Sequence, residues 1–350
     1  MGAKEMKKID FRSDTVTLPT PEMLARMIQA KLGDDVYGDD VTVNELQDLS
    51  ASIMGKEAGL FVPTGTMGNL LAIMSHTKPG QEAILEETSH IYLYEVGGMA
   101  RIAGVQAKPI KGVNGELKIE DIENAIRKEN IHFPETGLIC IENTHNMAGG
   151  MAISLDNMNE IYTLAQKNNI PVHLDGARIF NAAEYLNVDV KKIAKYADSV
   201  MFCFSKGLAA PVGSMLVGTK EFIDKAKKHR KMLGGGMRQV GILAAAGIYA
   251  LKEMVSRLKI DHANAILLAE KLNEIDGISI DIEEIHSNIV NVDFSNTPYT
   301  TSQLVPKFNK KGLLVGPRDE RVIRFVTHKD ITKEDVIQAT NIIKEIINKG

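Results

Sequence analysis

Cysteine is scarce in this 350-residue chain: there are two, Cys140 and Cys203, each inside an apolar run (LICIE and VMFCFS). That excludes a disulfide-stapled scaffold, and both read as core filler in a reducing compartment. No apolar stretch approaches membrane-spanning length, and MGAKEMKKIDF at the start has no apolar leader core. No membrane partner is therefore expected, and cytoplasmic residence is the default expectation. Charge of one sign is lacking too. The 41 basic and 45 acidic residues are interspersed, for a formal net charge of −4, and the basic run at 225–231 reads as a solvated helix face. Nothing here suggests a nucleic-acid partner. No ligand spacing signals a metal, and no repeat or low-complexity segment is evident. What is present, 44% hydrophobic and 25% charged residues, describes a soluble globular protein with a large core and two domains.

Short apolar runs at 83–85, 106–110, 138–141, 172–174, 199–203 and 215–217 read as strands, with helical patterns such as 119–126 and 155–167 between them. Repeated βα units imply an α/β fold with a mainly parallel sheet covered on both faces. Residues 9–17 read as an arm, and Thr20-Pro21 opens a helix with Leu24, Met27 and Ile28 on one face. Thr42 and Glu45 read as the capping box of the next helix, which Gly55 stops. Residues 241–273 read as one or two long helices containing the domain change. Beyond Gly277 the pattern becomes α+β, with strands at 289–294 and 321–326 and helices at 301–311 and 332–348. The expected domains are 1–254, with the arm, and a smaller 255–350.

The run 172–174 ends in Asp175, and the run 199–205 ends in Lys206. Parallel strands deliver both to the crevice beyond their carboxyl ends. An amine among Phe202, Phe204, Leu208, Ala209 and Ala210 sheds hydration and becomes a better nucleophile toward a carbonyl, so Lys206 is a Schiff-base candidate. An acid facing it suits pyridoxal 5'-phosphate (PLP), whose ring nitrogen needs a carboxylate partner. Either residue alone is commonplace, a solvated lysine or a turn aspartate; the pairing carries the inference. Thr64-Gly65-Thr66, between an apolar strand and an apolar helix, forms an anion seat from helix-start amides and hydroxyls. With no Lys after the glycines it is not a P-loop, nor does it match the dinucleotide fingerprint. His90, after the strand at 83–85, would lie against the cofactor ring. The triple glycine of KMLGGGMRQ points to a close backbone approach or a subunit boundary, since each glycine costs roughly 1 kcal/mol in a helix interior.

Seven stretches in one order, FRSDTVT, GDDVYGDD, FVPTGTMGN, ENTHN, HLDGARIFNA, SVMFCFSKGL and GGGMRQ, together resemble the low-specificity L-threonine aldolases, PLP enzymes of the aspartate-aminotransferase fold type. The resemblance covers nearly the whole chain. It implies a large PLP domain, a small carboxyl-terminal domain, and a homotetramer of dimers with active sites drawn from two chains. It makes Lys206 the Schiff-base lysine, Asp175 the partner of the ring nitrogen and His90 the stacking residue. Gly65 and Thr66 would hold the phosphate, helped by Arg238 of a neighbouring subunit. Ser13, Arg178 and Arg324 would grip the substrate carboxylate, and Tyr37, Tyr94 and His132 would line the substrate side. The implied reaction is retro-aldol cleavage of L-threonine or L-allo-threonine to glycine and acetaldehyde, with His90, His132 and a bound water as candidates for the base. A β-eliminating lyase or an aminotransferase on the same fold is the alternative, distinguished by its products. A non-catalytic PLP binder would require a missing catalytic group, and Lys206, Asp175 and Arg178 are all present.

Overall fold

The computed structural model describes residues 7–348; residues 1–6, which carry much of the stretch read for a leader, and 349–350 lie outside them. The chain divides into two compact units, Pro19–Val255 and the combination of Met1–Leu18 with Ser256–Gly350. The arm was expected with the larger domain, and the reason for its different grouping is local. Ile9 and Asp10 pair in parallel with Leu313 and Leu314. Phe11, fully buried, meets the Phe325 ring edge-on at 5.7 Å. Burying the arm's two large apolar residues favours that packing by roughly 1.5–3 kcal/mol each.

The larger unit is built on a seven-stranded sheet. Its spatial order is Ala58–Val62, Ser214–Gly218, Ser199–Cys203, Val172–Asp175, Thr136–Glu142, Glu82–Glu86 and Gln106–Ile110. Every pairing is parallel except the two made by Ser214–Gly218. The inner strands are buried along their whole length, so they read as continuous apolar runs rather than as alternation. Helices such as Gly65–His76, Leu155–Lys167 and Lys220–Met232 link the strands.

Two local expectations change. The second helix, Val41–Met54, is capped by Asp40, whose carboxylate accepts from Val43 N–H at 3.0 Å. Thr42 instead donates its hydroxyl to the Lys31 carbonyl at 2.7 Å, so the expected capping box does not form. In the first helix, Pro21–Ile28, Met23 is the buried residue while Leu24 and Ile28 are exposed, leaving an apolar stripe on the surface. The triple glycine does mark a close approach: a Cβ on Gly235 would lie 2.4 Å from Met67 Sδ, on the helix that begins at Gly65.

The smaller unit carries a three-stranded antiparallel sheet in the order Gly316–Pro317, Val322–Val326, Ile289–Asp293. Helices Leu258–Leu272, Thr301–Lys310 and Lys333–Ile347 accompany it, and the last is opened by a complete Thr332/Asp335 capping box. The helical stretch at 241–273 is broken by a π turn, Ala250–Met254, and a 3₁₀ turn, Val255–Arg257. Among the described residues no helix is long and apolar enough to cross a membrane.

Candidate active site

Parallel strands put their carboxyl ends at one edge of the sheet, and three of them end in acids: Glu86, Glu142 and Asp175. Beyond that edge lies a cleft of about 320 Å³ lined by Thr64, Gly65, Thr66, Asn69, His90, Glu95, Asp175 and Lys206, among others. Asp175 is 1% exposed, and its two oxygens are each engaged. Oδ2 accepts from Asn69 Nδ2 at 2.8 Å, and Oδ1 accepts from the Ala177 main-chain N–H at 3.1 Å.

Lys206 sits on a loop fastened to itself. Its carbonyl accepts from Ala209 N–H at 2.8 Å, Phe204 N–H donates to Gly213 at 3.0 Å, and Ala210 N–H donates to Phe204 at 3.1 Å. Ala209 holds φ at 64°, a left-handed conformation that costs a residue with a Cβ about 1–2 kcal/mol. Phe204, Leu208, Ala209 and Ala210 are all buried, whereas Lys206 itself is half-buried and lines the cleft.

Gly65 and Thr66 open the twelve-residue helix Gly65–His76, capped by Thr64, whose hydroxyl accepts from Met67 N–H at 3.1 Å. The first amides of a helix have no acceptor within it and therefore face outward with the positive end of the dipole. One turn further on, the same helix presents Asn69. Its amide nitrogen donates at 2.8 Å both to Asp175 and to Glu95 Oε1, and its oxygen is engaged by His173 Nε2 at 3.0 Å. His173 Nδ1 contacts Ser199 Oγ at 2.9 Å, and burial pushes His173 down to about 3, so this imidazole is neutral.

His90 Nδ1 is hydrogen-bonded to Glu95 Oε1 at 3.1 Å. That bond raises the imidazole above its ordinary value, while burial raises Glu95. The main-chain N–H of His90 donates to Glu142 Oε2 at 2.6 Å, and the other Glu142 oxygen accepts from Asn146 N–H at 2.8 Å. Asn146 Oδ1 in turn accepts from Arg178 Nη1 at 3.4 Å, and Arg178, itself buried, precedes the helix Ile179–Leu186. A single buried acid thus sets the positions of both the histidine and the arginine segments.

The cleft brings together five of the residues singled out in the sequence: Gly65, Thr66, His90, Asp175 and Lys206. Tyr94 stands beside them, its ring 5.6 Å from that of His90, and its hydroxyl donates to Met147 Sδ. Other candidates, Arg178 included, are not among those lining residues. Tyr37 is exposed in a turn, and Arg238 pairs with Asp34 at 3.1 Å. His132 is exposed, its N–H bound to Asn130 Oδ1 at 2.9 Å. Ser13 caps the 3₁₀ turn Asp14–Val16, and Arg324 pairs in register with Gly316 and Asn291, both within the smaller unit. Sequence reading gave no role to Asn69, Glu95 or Glu142. Glu142 and Asn69 fall inside stretches already quoted, ENTHN and FVPTGTMGN, whereas nothing around Glu95 marks it.

The beta-eliminating lyase family model matches residues 10–295. Low-specificity L-threonine aldolase 1 of Arabidopsis thaliana is 45% identical over 95% of this chain and 94% of its own length. The low specificity L-threonine aldolase of Escherichia coli (strain K12) is 43% identical, covering 94% of this chain and 96% of that protein. The solved threonine aldolase of Leishmania major superposes with a TM-score of 0.83 at 18% identity, covering 97% of this chain and 99% of that one, which shows the shared fold. On the matching family model, the near-full-length identities and the common architecture, the chain belongs to the beta-eliminating lyase family and, within it, to the low-specificity L-threonine aldolase group.

Proposed function

We propose that the protein cleaves β-hydroxy-α-amino acids, L-threonine and L-allo-threonine first among them, to glycine and an aldehyde, using PLP held in the cleft. The observation that carries this reading is that an amine, a buried carboxylate, an imidazole and a helix N-terminus line one 320 Å³ cleft. The donor set suits the cofactor. Asp175 is fixed by two donors and offers a carboxylate to a pyridine N–H, the helix start at Gly65 and Thr66 offers amides to a phosphate, and Lys206 offers an amine to an aldehyde. When bound, PLP supplies an electron sink for the bond pair released at the substrate's α-carbon.

The residues divide the remaining work. Lys206 would hold the cofactor through its side-chain amine. Asp175 would face the ring nitrogen and favour its protonated form. Arg178, anchored through Asn146, takes the substrate carboxylate and so fixes which bond at the α-carbon is presented for cleavage. His90, with Nδ1 committed to Glu95, has Nε2 left to accept the β-hydroxyl proton; His132, exposed and outside the lining, is the weaker candidate. The working form is a homotetramer of dimers, a reading supported by the exposed Leu24, Ile28 and Tyr37 and by Arg238, which stands outside the cleft lining.

The test is product analysis of the PLP-loaded protein with the four threonine stereoisomers. Glycine and acetaldehyde in equal amounts from the L isomers are expected. Ammonia with an oxo acid, or conversion of the cofactor to its amine form, would replace this reading with a lyase or an aminotransferase.

A further inference from the structure

Between the cleft and the sheet lies a buried polar group that the reaction above uses only in part. Asn69 Nδ2 is shared between two carboxylates, Asp175 and Glu95, at 2.8 Å each, and Glu95 continues to His90 Nδ1 at 3.1 Å. One imidazole nitrogen of His90 and one carboxylate oxygen each of Glu95 and Asp175 all lie within 4.8 Å of one another. Glu95 is 6% exposed, so its carboxyl has little water to compensate its charge, and its partners are the ones just named. One amide group thus bridges two carboxylates, so a change at either is passed to the other through a shared donor.

Asn69 is itself held from behind. Its oxygen is engaged by the neutral His173, and His173 by Ser199, which also contacts His76 Nε2 at 2.8 Å. The amide therefore cannot rotate to relieve either carboxylate without losing a buried bond.

We infer that Glu95 is the positioning residue for His90, and that Asn69, bonded to both carboxylates, couples this pair to Asp175. The inference rests on the proposed reaction for its meaning in catalysis, but not for its existence. Glu95 fixes which imidazole nitrogen is occupied, leaving Nε2 for the cleft, and the link through Asn69 makes the hydrogen bond held by Asp175 depend on the state of the histidine–glutamate pair. The groups facing His90 are Glu95, Asp175 and Lys206, with Glu142 holding its main-chain N–H. Glu95 and Asp175 favour the imidazolium and Lys206 opposes it.

The experiment compares Glu95→Gln and Glu95→Asp with wild type, all loaded with PLP, by three readouts. These are the NMR titration midpoint of the His90 ring, the pH dependence of the bound cofactor's visible absorbance, and the pH profile of kcat/KM for aldehyde release. In E95Q the His90 midpoint should fall, and the acid limb of kcat/KM should move to lower pH with it. The absorbance titration should shift, and kcat should drop roughly 10–100-fold, the range seen when an orienting partner of a functional histidine is removed. E95D, which keeps the charge at shorter reach, should lie between E95Q and wild type in all three. A midpoint and a limb that coincide with wild type in E95Q overturn the positioning role even if the variant melts earlier. A His90 midpoint that moves while the cofactor absorbance titrates unchanged overturns the coupling. If E95Q does not fold, E95D decides alone: a lowered midpoint supports the inference and an unchanged one overturns it. Should the protein release no aldehyde at all, the proposed function fails, while the ring titration still tests this inference.

Discussion

Two histidine–glutamate pairs lie close behind the same sheet edge, each with a 3.1 Å nitrogen–oxygen contact, and they behave in opposite ways. His90–Glu95 faces the cleft, with the histidine side chain 33% exposed, whereas His145–Glu86 is sealed, with its histidine side chain 1% exposed. Glu95 is pushed up, first by burial and also by Asp175 nearby. Burial acts upward on Glu86 too, but contact with His145 and two bonds from Thr88, N–H at 2.6 Å and hydroxyl at 2.7 Å, outweigh it and hold the carboxyl down to about 2. The number and sign of the remaining neighbours, not the pairing itself, decide whether such a unit stays fixed in charge or exchanges protons. The sealed pair holds structure, and the open pair is the one that the proposed reaction would use.

The sharpest way to break that contrast is to remove the amine that only the open pair faces. Lys206→Ala should abolish turnover and the yellow absorbance of the loaded protein while the melting temperature of the cofactor-free protein stays within a few degrees of wild type. Retained turnover and colour would place the reaction elsewhere. Next in size, His90→Asn should cost roughly 10²–10⁴-fold in kcat, the usual contribution of a positioned acid or base, with little change in denaturant midpoint. A variant that loses stability and keeps its rate would make the open pair a second structural one.

Smallest is Glu86→Gln, expected to leave kcat nearly unchanged and to lower unfolding free energy at neutral pH by about 1–3 kcal/mol. Its sign with pH is fixed by linkage. Glu86 has a depressed folded-state value, so its stabilisation is present above about 4.5 and is lost as pH falls toward about 2. His145 is raised, so its share is complete below its ordinary value and is lost as pH rises through the folded one. Urea unfolding at several pH values should therefore show E86Q and wild type converging in acid. Parallel curves down to pH 2 would remove the structural role of the sealed pair.

What could be read in advance follows from where each signal resides. Asp175 and Lys206 were legible because a short apolar run ending in a charged residue is a local pattern, and parallel strands turn it into a shared location. The strand-to-helix turn at 64–66 was legible for the same reason. Asn69 and Glu95 were not, since the bond from Asn69 to Asp175 joins residues 106 positions apart and no local pattern encodes it. Caps sit between these cases. Asp40 and Thr42 are both good capping residues, and the choice was made by the Lys31 carbonyl, which claimed the threonine hydroxyl. The amino-terminal arm went to the smaller unit because Phe11 found its partner, Phe325, more than three hundred residues away.

The loop that carries Lys206 closes on itself through main-chain bonds from Phe204 to Gly213, and a Cβ at Gly213 would come within 2.5 Å of the Phe61 ring. A lysine fastened in this manner would require no disorder-to-order step on docking the proposed vitamin-derived partner. Protein stripped by dialysis should accordingly regain its colour on simple mixing, without a refolding cycle, and Gly213→Ala should be the change that makes such reloading slow.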